Sequence, residues 1–314
     1  MGRLINGKWV DSNIIQTTDG NFIREDSSFR HNISKGSRFN AQANRYHLYV
    51  SYACPWAHRV MIFRHLKELE NIISMDIVKP LIINNGWEFD KCNDTINNKQ
   101  YLYEIYTLAN KEYNGKVTVP VLWDTVEKTI VNNESSEIIR ILNSSFNDIT
   151  GNTLDFYPSN LRSEIDKINH FIYHNINNGV YKVGFSTNQK AYDIEVHKLF
   201  NALNVIEDLL SKQRYLVGNN LTEADWRLFT TLIRFDSVYV GHFKCNQYCL
   251  HEYDHLSNYV RELYQIPGIK ETVNMQDIKL HYYKSHTSIN PTGIVPTGPN
   301  INYELPHNRN ILFK

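Results

Sequence analysis

An α/β domain followed by an all-helical domain is the fold class this sequence predicts, on three observations. A β-prone run, Tyr46 to Val50, leads through a helical pattern, Pro55 to Leu69, into a second β-prone run, Ile72 to Val78, and such a strand–helix–strand unit implies parallel pairing. A further β run, Val117 to Asp124, is followed by a short partner strand, Thr129 to Val131, and an amphipathic helix, Asn133 to Leu142. Beyond about residue 150, apolar residues recur only at helical spacing: Leu161, Ile165, Ile168 and Ile172, later Val196, Leu199, Leu203 and Ile206.

Each segment has its own reason. Residues 1–43 are polar, with turn formers at Asp19-Gly20, Ser27-Ser28 and Lys35-Gly36-Ser37, and predict an irregular extension lying on the surface of the domains beyond it. Residues 44–150 hold the strand–helix–strand unit, which is half of a thioredoxin-like fold. The polar segment Pro80 to Lys116 interrupts that pattern and predicts one helix around Tyr101 to Ala109. Pro120 removes a ladder donor, so its strand must end there or lie at an edge. Asn133 is the expected cap of the helix after it. Past the linker Gly151 to Pro158, residues 151–285 form the all-helical domain; within it Thr222, with Asp225 three residues on, has the form of a cap that starts a buried helix. Residues 286–314 read as an irregular tail, with three prolines and two glycines between Asn290 and Pro299.

Composition narrows the function classes. At 314 residues the chain is long enough for two ordinary domains, and with 42% hydrophobic and 21% charged residues it reads as globular. Lys plus Arg equals Asp plus Glu at 33 each, so no overall charge points to nucleic acid or to a membrane surface. Cys54, Cys92, Cys245 and Cys249 are too few for a disulfide scaffold and suit a reducing compartment, which makes the cytoplasm the expected location. No apolar run fits a signal peptide or a membrane helix, and Asn6 breaks a myristoylation motif at Gly2.

Cys54, in Arg45-Tyr-His-Leu-Tyr-Val-Ser-Tyr-Ala-Cys-Pro-Trp-Ala-His-Arg59, carries the most chemistry. Pro55 suits a first helical position, so the thiol stands at a helix N-terminus, where free N–H groups and the helix dipole favour an anion. A thiolate is such an anion, and the expected result is a lowered pKa and a reactive sulfur. A free cysteine is otherwise most often a small buried core residue; the motifs downstream favour the reactive reading.

Four blocks in this order, Cys54 to Ala57, Val119 to Leu122, Asn133 to Ile138 and Leu221 to Trp226, resemble the glutathione transferase superfamily. A narrower resemblance rests on longer blocks: Tyr52 to Arg59, Thr118 to Asp124, Ile130 to Arg140, Asn177 to Phe185, Ile233 to Asn246 and Ile289 to Pro296. These look like the glutathionyl-hydroquinone reductases, also called xi-class or omega-like transferases.

The resemblance implies glutathione as co-substrate and a homodimer, and it implies roles. A cis peptide between Val119 and Pro120 would turn the Val119 backbone toward the cysteinyl part of glutathione. Glu134 would face the γ-glutamyl ammonium, and Ser135 with the helix N-terminus its carboxylate; a Glu and a Ser starting a helix are also common as plain caps. Trp87 would pack beside the thiol, or serve as a core anchor. Lys116 stands where an arginine to the glycyl carboxylate is expected, and supplies the charge without a bidentate fork. Tyr103 likewise replaces an arginine often found in the preceding helix. The second substrate is expected above Cys54, against the helical domain, with Tyr181, Tyr239, His242 and Tyr283 as phenol or imidazole donors; Tyr282 is adjacent, so either of the pair fits. Arg234 with Asp236 reads as a structural ion pair beneath that site. Cys245 and Cys249, with His242 and His251 nearby, are not spaced as a zinc knuckle and have no second pair, so no metal is expected.

The implied reaction is attack by the Cys54 thiolate on the sulfur of a glutathionyl-hydroquinone, giving a mixed disulfide that free glutathione resolves. An omega-type thiol transferase or dehydroascorbate reductase would use the same cysteine, and a transferase-like scaffold would use none. Retention of Cys54, Pro120, Glu134 and Ser135 argues against the scaffold.

Overall fold

Tyr46–Val50 forms strand β1, and all five side chains are buried, as in a strand covered on both faces. The computed structural model describes residues 2–11 and 17–313. From β1 the chain turns into helix α1 (Pro55–Leu66) and returns as β2 (Ile73–Ile83), which pairs parallel to β1 with Tyr46 opposite Ile73 and Val50 opposite Ile77. The segment expected to be polar and interrupted instead extends β2 to Ile83 and turns back as β3 (Gly86–Phe89), antiparallel to it. Helix α2 (Leu102–Ala109), then β4 (Val121–Asp124), β5 (Thr129–Asn132) and α3 (Ser135–Ser144) follow. The sheet order is β5-β4-β1-β2-β3. Strand β4 lies inside it and begins one residue after Pro120, so the missing N–H falls outside the ladder.

Glu134, not Asn133, caps α3: its carboxylate accepts from the Ser136 N–H at 3.1 Å. Asn133 is already used, its Oδ1 by the Phe29 N–H and its Nδ2 on the Tyr106 hydroxyl, both at 3.0 Å.

Besides short helical turns at Asn147–Thr150 and Val240–His242, the remaining chain forms α4 (Arg162–Ile172), α5 (Gly179–Gly184), α6 (Gln189–Lys212), α7 (Glu223–Leu232) and α8 (Asp254–Tyr264). Wider π-helical turns at Tyr173–Asn177 and Phe235–Tyr239 interrupt the regular winding. Every residue of α7 is buried, and the Thr222–Asp225 cap forms as its spacing predicts. Asp225 accepts from the Thr222 and Leu216 N–H groups at 2.8 and 2.9 Å and from the Tyr259 hydroxyl at 2.7 Å. Asp225→Ala removes the cap and strands a buried phenol, and is expected to cost about 2–5 kcal/mol of stability. Urea denaturation measures it; a loss below about 1 kcal/mol would mean that water replaces the carboxylate.

Helices α9 (Met275–Ser285) and α10 (Arg309–Leu312) complete the chain. Two compact units result. One comprises the described residues of Met1–Ile14 with Glu25–Leu154 and Thr272–Ser285; the other comprises those of Ile15–Arg24 with Asp155–Glu271 and His286–Lys314. Among the described residues the first unit holds a mixed five-stranded sheet, a small three-stranded sheet and helices, and the second is helical with one small hairpin. The division differs from one at residue 150: α9 packs on β2 of the first unit, and a segment of the N-terminal extension joins the second.

Both terminal stretches are more ordered than their composition predicts. Arg3–Ile5 and Lys8–Val10 make a three-stranded sheet with Gly115–Lys116, and Thr17–Thr18 pairs with Asn21–Phe22. In the tail, Arg309 is fully buried, binding Glu262 at 3.1 Å and the Gln213 carbonyl at 3.0 Å.

Candidate active site

Cys54 is the N-cap residue of α1, with extended backbone at φ −81° and ψ 120°, and Pro55 occupies the first helical position. Its carbonyl accepts the first intrahelical bond, from the His58 N–H at 2.9 Å, while its own N–H reaches the Ser51 carbonyl at 3.2 Å. The thiol, half-buried, is thereby set at the positive end of the helix dipole, and no acidic residue lies in the first turn to oppose a thiolate. Sγ lies 3.6 Å from the Val119 carbonyl, and the Val119–Pro120 peptide is cis.

The other thiols have different surroundings. Cys245 is fully buried, which pushes its thiol well above the ordinary cysteine value. Burial, then the Asp236 and Glu252 carboxylates, raise Cys249. Cys92 is exposed.

Glu134 and Ser135 open α3. The Glu134 carboxylate accepts from Ser27 and Ser136, and the buried Ser135 hydroxyl accepts from Arg59 at 3.4 Å. Arg59 is almost fully buried, its guanidinium 4.5 Å over the Trp56 ring. Sequence reading placed no role on Arg59, although it stands five residues after Cys54 in the same block.

Lys116 sits at the end of a short strand opposite Arg3, its ammonium 3.7 Å from Glu25, which Arg3 also approaches at 3.4 Å. Tyr103 stacks between Trp9 and Tyr101, at 5.2 and 5.6 Å between ring centroids. Trp87 is buried on β3 and stacks on His281 of α9 at 5.2 Å. Tyr283 lies on the same helix, so the first unit holds Cys54, Trp87, Lys116, Val119, Pro120, Glu134, Ser135 and Tyr283.

The second unit gathers Tyr181, Tyr239 and His242. Tyr181 lies 6.3 Å from Tyr239, and both rings pack on Phe243 at 5.5 Å. Arg24 stands 4.9 Å over the Tyr181 ring. His242 meets His286 through Nε2 and Nδ1 at 3.1 Å, a contact that the sequence does not signal because His286 belongs to the tail. Asp236 meets the His251 ring, not Arg234, with Nδ1 at 2.8 Å from its carboxylate.

A thioredoxin-like sheet presenting a cysteine beside a cis-proline, in a chain that also builds a helical unit, defines a thiol-bearing transferase-type protein. The chain belongs to the glutathione transferase family, within its xi-class, glutathionyl-hydroquinone reductase branch. The family's N-terminal domain matches residues 53–145 and its C-terminal domain residues 189–262. The chain is 48% identical over 327 residues to the glutathionyl-hydroquinone reductase YqjG of Escherichia coli, covering 100% of both. It is 49% identical over 304 residues to PcpF of Sphingobium chlorophenolicum, also named a glutathionyl-hydroquinone reductase, covering 95% of this chain and 96% of that one. Among solved structures, a xi-class transferase from Natrialba magadii superposes with a TM-score of 0.93 at 45% identity, covering 100% of this chain and 98% of that one. The glutathione-bound structure of YqjG superposes at 0.90 with 46% identity, covering 99% and 100%.

Proposed function

We propose that this protein is a glutathione-dependent thiol reductase that converts glutathionyl-hydroquinones to hydroquinones, with glutathione as co-substrate. The observation that carries the reading is the Cys54 thiol at the N-terminus of α1, 3.6 Å from the carbonyl that precedes cis-Pro120. A serine or tyrosine there would suit a conjugating transferase, which stabilises the thiolate of glutathione itself. The glutathione-bound relative and the hydroquinone-reductase relatives supply the substrate class.

The Cys54 thiolate attacks the glutathionyl sulfur, forming a disulfide while the bond from sulfur to the aromatic carbon breaks. That carbon leaves with the electron pair and must take up a proton, which Tyr181 and Tyr283 supply or stabilise, and the hydroquinone departs. A second glutathione thiolate attacks the mixed disulfide, releasing glutathione disulfide and restoring Cys54. Tyr239 and His242 contact the hydroquinone oxygens, Val119 pairs with the cysteinyl part of glutathione, and Lys116 and Trp87 hold its remainder.

Ser135 and Glu134 take the γ-glutamyl group at the α3 N-terminus. Ser135→Ala is expected to weaken glutathione binding by about 1–3 kcal/mol, with a smaller effect on stability. Calorimetry showing unchanged affinity and a large fall in melting temperature would reduce Ser135 to a rest for Arg59.

The protein is further expected to be a cytoplasmic homodimer, which light scattering and fractionation check; among the described residues no helix is long and apolar enough to cross a membrane. The deciding assay compares a glutathionyl-menadiol-type substrate with small glutathionyl disulfides. Turnover of the former supports the proposal, and activity confined to disulfides or dehydroascorbate would make the protein an omega-type thiol transferase.

A further inference from the structure

We propose that Asp236, Cys249 and His251 form a binding site for one divalent transition-metal ion of the zinc type, separate from the thiol chemistry of Cys54. One donor atom from each of the three lies within 4.8 Å of the other two. They come from two places in the second unit, Asp236 from the π-helical turn Phe235–Tyr239 and the others from the edge of the tight turn Leu250–Glu252.

Backbone N–H groups of the tight turn hold the Asp236 and Cys249 heads in place, and the His251 ring rests on the Asp236 carboxylate. Asp236, with its side chain only 3% exposed, accepts from the N–H groups of Leu250 and His251 and from His251 Nδ1. The Cys249 sulfur accepts the Glu252 N–H, while the Glu252 carboxylate accepts the Cys249 N–H in return. Tetrahedral zinc, with bonds of about 2.3 Å to sulfur and 2.0–2.2 Å to nitrogen and oxygen, separates its ligands by roughly 3.4–3.6 Å. Side-chain rotation brings three atoms already within 4.8 Å to that spacing.

The donor chemistry chooses the ion. A thiolate, an imidazole and a single carboxylate suit zinc and its neighbours, whereas calcium and magnesium require oxygen ligands. Two anionic donors balance a dication, and Glu252 adds negative charge beside the sulfur. On binding, Cys249 gives its proton to solvent, and the proton that His251 Nδ1 donates to Asp236 is exchanged through solvent for one on Nε2, which frees Nδ1 for the metal. No electron is transferred. The His251 side chain is 58% exposed, so water reaches the fourth position. In sequence, Cys245 and His242 are the nearest further donors, in a spacing from which no metal is expected. The fold sends Cys245 to the Val180 and Phe243 carbonyls and His242 to His286, and brings in Asp236 from earlier in the chain. Such an ion braces the turn that carries Tyr239.

The test uses the untagged full chain with Cys54→Ala, so that the reactive thiol does not compete. Cobalt(II) is expected to give a sulfur-to-metal charge-transfer band that saturates at one equivalent and is displaced by zinc. Zinc is expected to raise the melting temperature. Both responses should vanish in Cys249→Ser and His251→Gln and persist in Cys245→Ser. A second measurement needs no further substitution: zinc should slow alkylation of Cys249 by N-ethylmaleimide, read by peptide mass spectrometry. Absence of a saturable band, a band that survives Cys249→Ser, or an alkylation rate indifferent to zinc would each overturn the proposal.

Discussion

Cys54→Ala is expected to abolish both the glutathione adduct formed on exposure to glutathione disulfide and all reduction of glutathionyl-hydroquinones. The size of the effect follows from the chemistry: without the sulfur there is no covalent intermediate, and no other thiol shares its surroundings. Burial keeps Cys245 protonated, burial with nearby carboxylates raises Cys249, and exposed Cys92 lies at no helix N-terminus. Wild-type protein should gain a single glutathione by intact mass, mapped to the peptide holding Cys54. Adduct found mainly on Cys92, Cys245 or Cys249 would refute the assignment.

Tyr181→Phe and Tyr283→Phe should slow reduction of a glutathionyl-hydroquinone by roughly 10²–10⁴-fold, the range attributed to positioned proton donors. Activity on a small glutathionyl disulfide should stay close to wild type, because a thiolate leaving group needs no proton. The phenylalanine ring preserves the packing of Tyr181 on Phe243 and Tyr239, so the change isolates the hydroxyl. Tyr282→Phe serves as the neighbouring control: Tyr282 is 1% exposed, with its ring edge-on to His281. Equal losses on both substrates would mean that the tyrosines do not act as proton donors.

What could be read from the sequence was local. Pro55 after a β run located the start of α1, and Thr222 with Asp225 the start of α7, since each signal lies within a few residues of its effect; Pro120 marked a break in the Val117–Asp124 run, but not that an interior strand begins after it. The cap of α3 was misplaced by one residue because Asn133 is taken up by Phe29 and Tyr106, partners that its neighbours in sequence do not reveal. The same limit hid the role of Arg59 under Ser135, the stacking of Tyr103 between Trp9 and Tyr101, and the pairing of His242 with His286. That the chain is helical up to about residue 285 was expected; that Met275–Ser285 covers β2 was not, because nothing in its own residues names the strand it packs on.

The return of α9 to the first unit bears on how the chain is made. Synthesis is vectorial, and domains ordinarily fold as units with the N-terminal one first. Here β2 emerges from the ribosome long before the helix that packs on it, and the whole of Asp155–Glu271 is translated in between. The unit that bears Cys54 is therefore the first begun and cannot be closed until Ser285 has emerged. A fragment ending at Leu154 would lack the His281 ring that stacks on Trp87, and would need α9 supplied as a separate peptide to complete its fold.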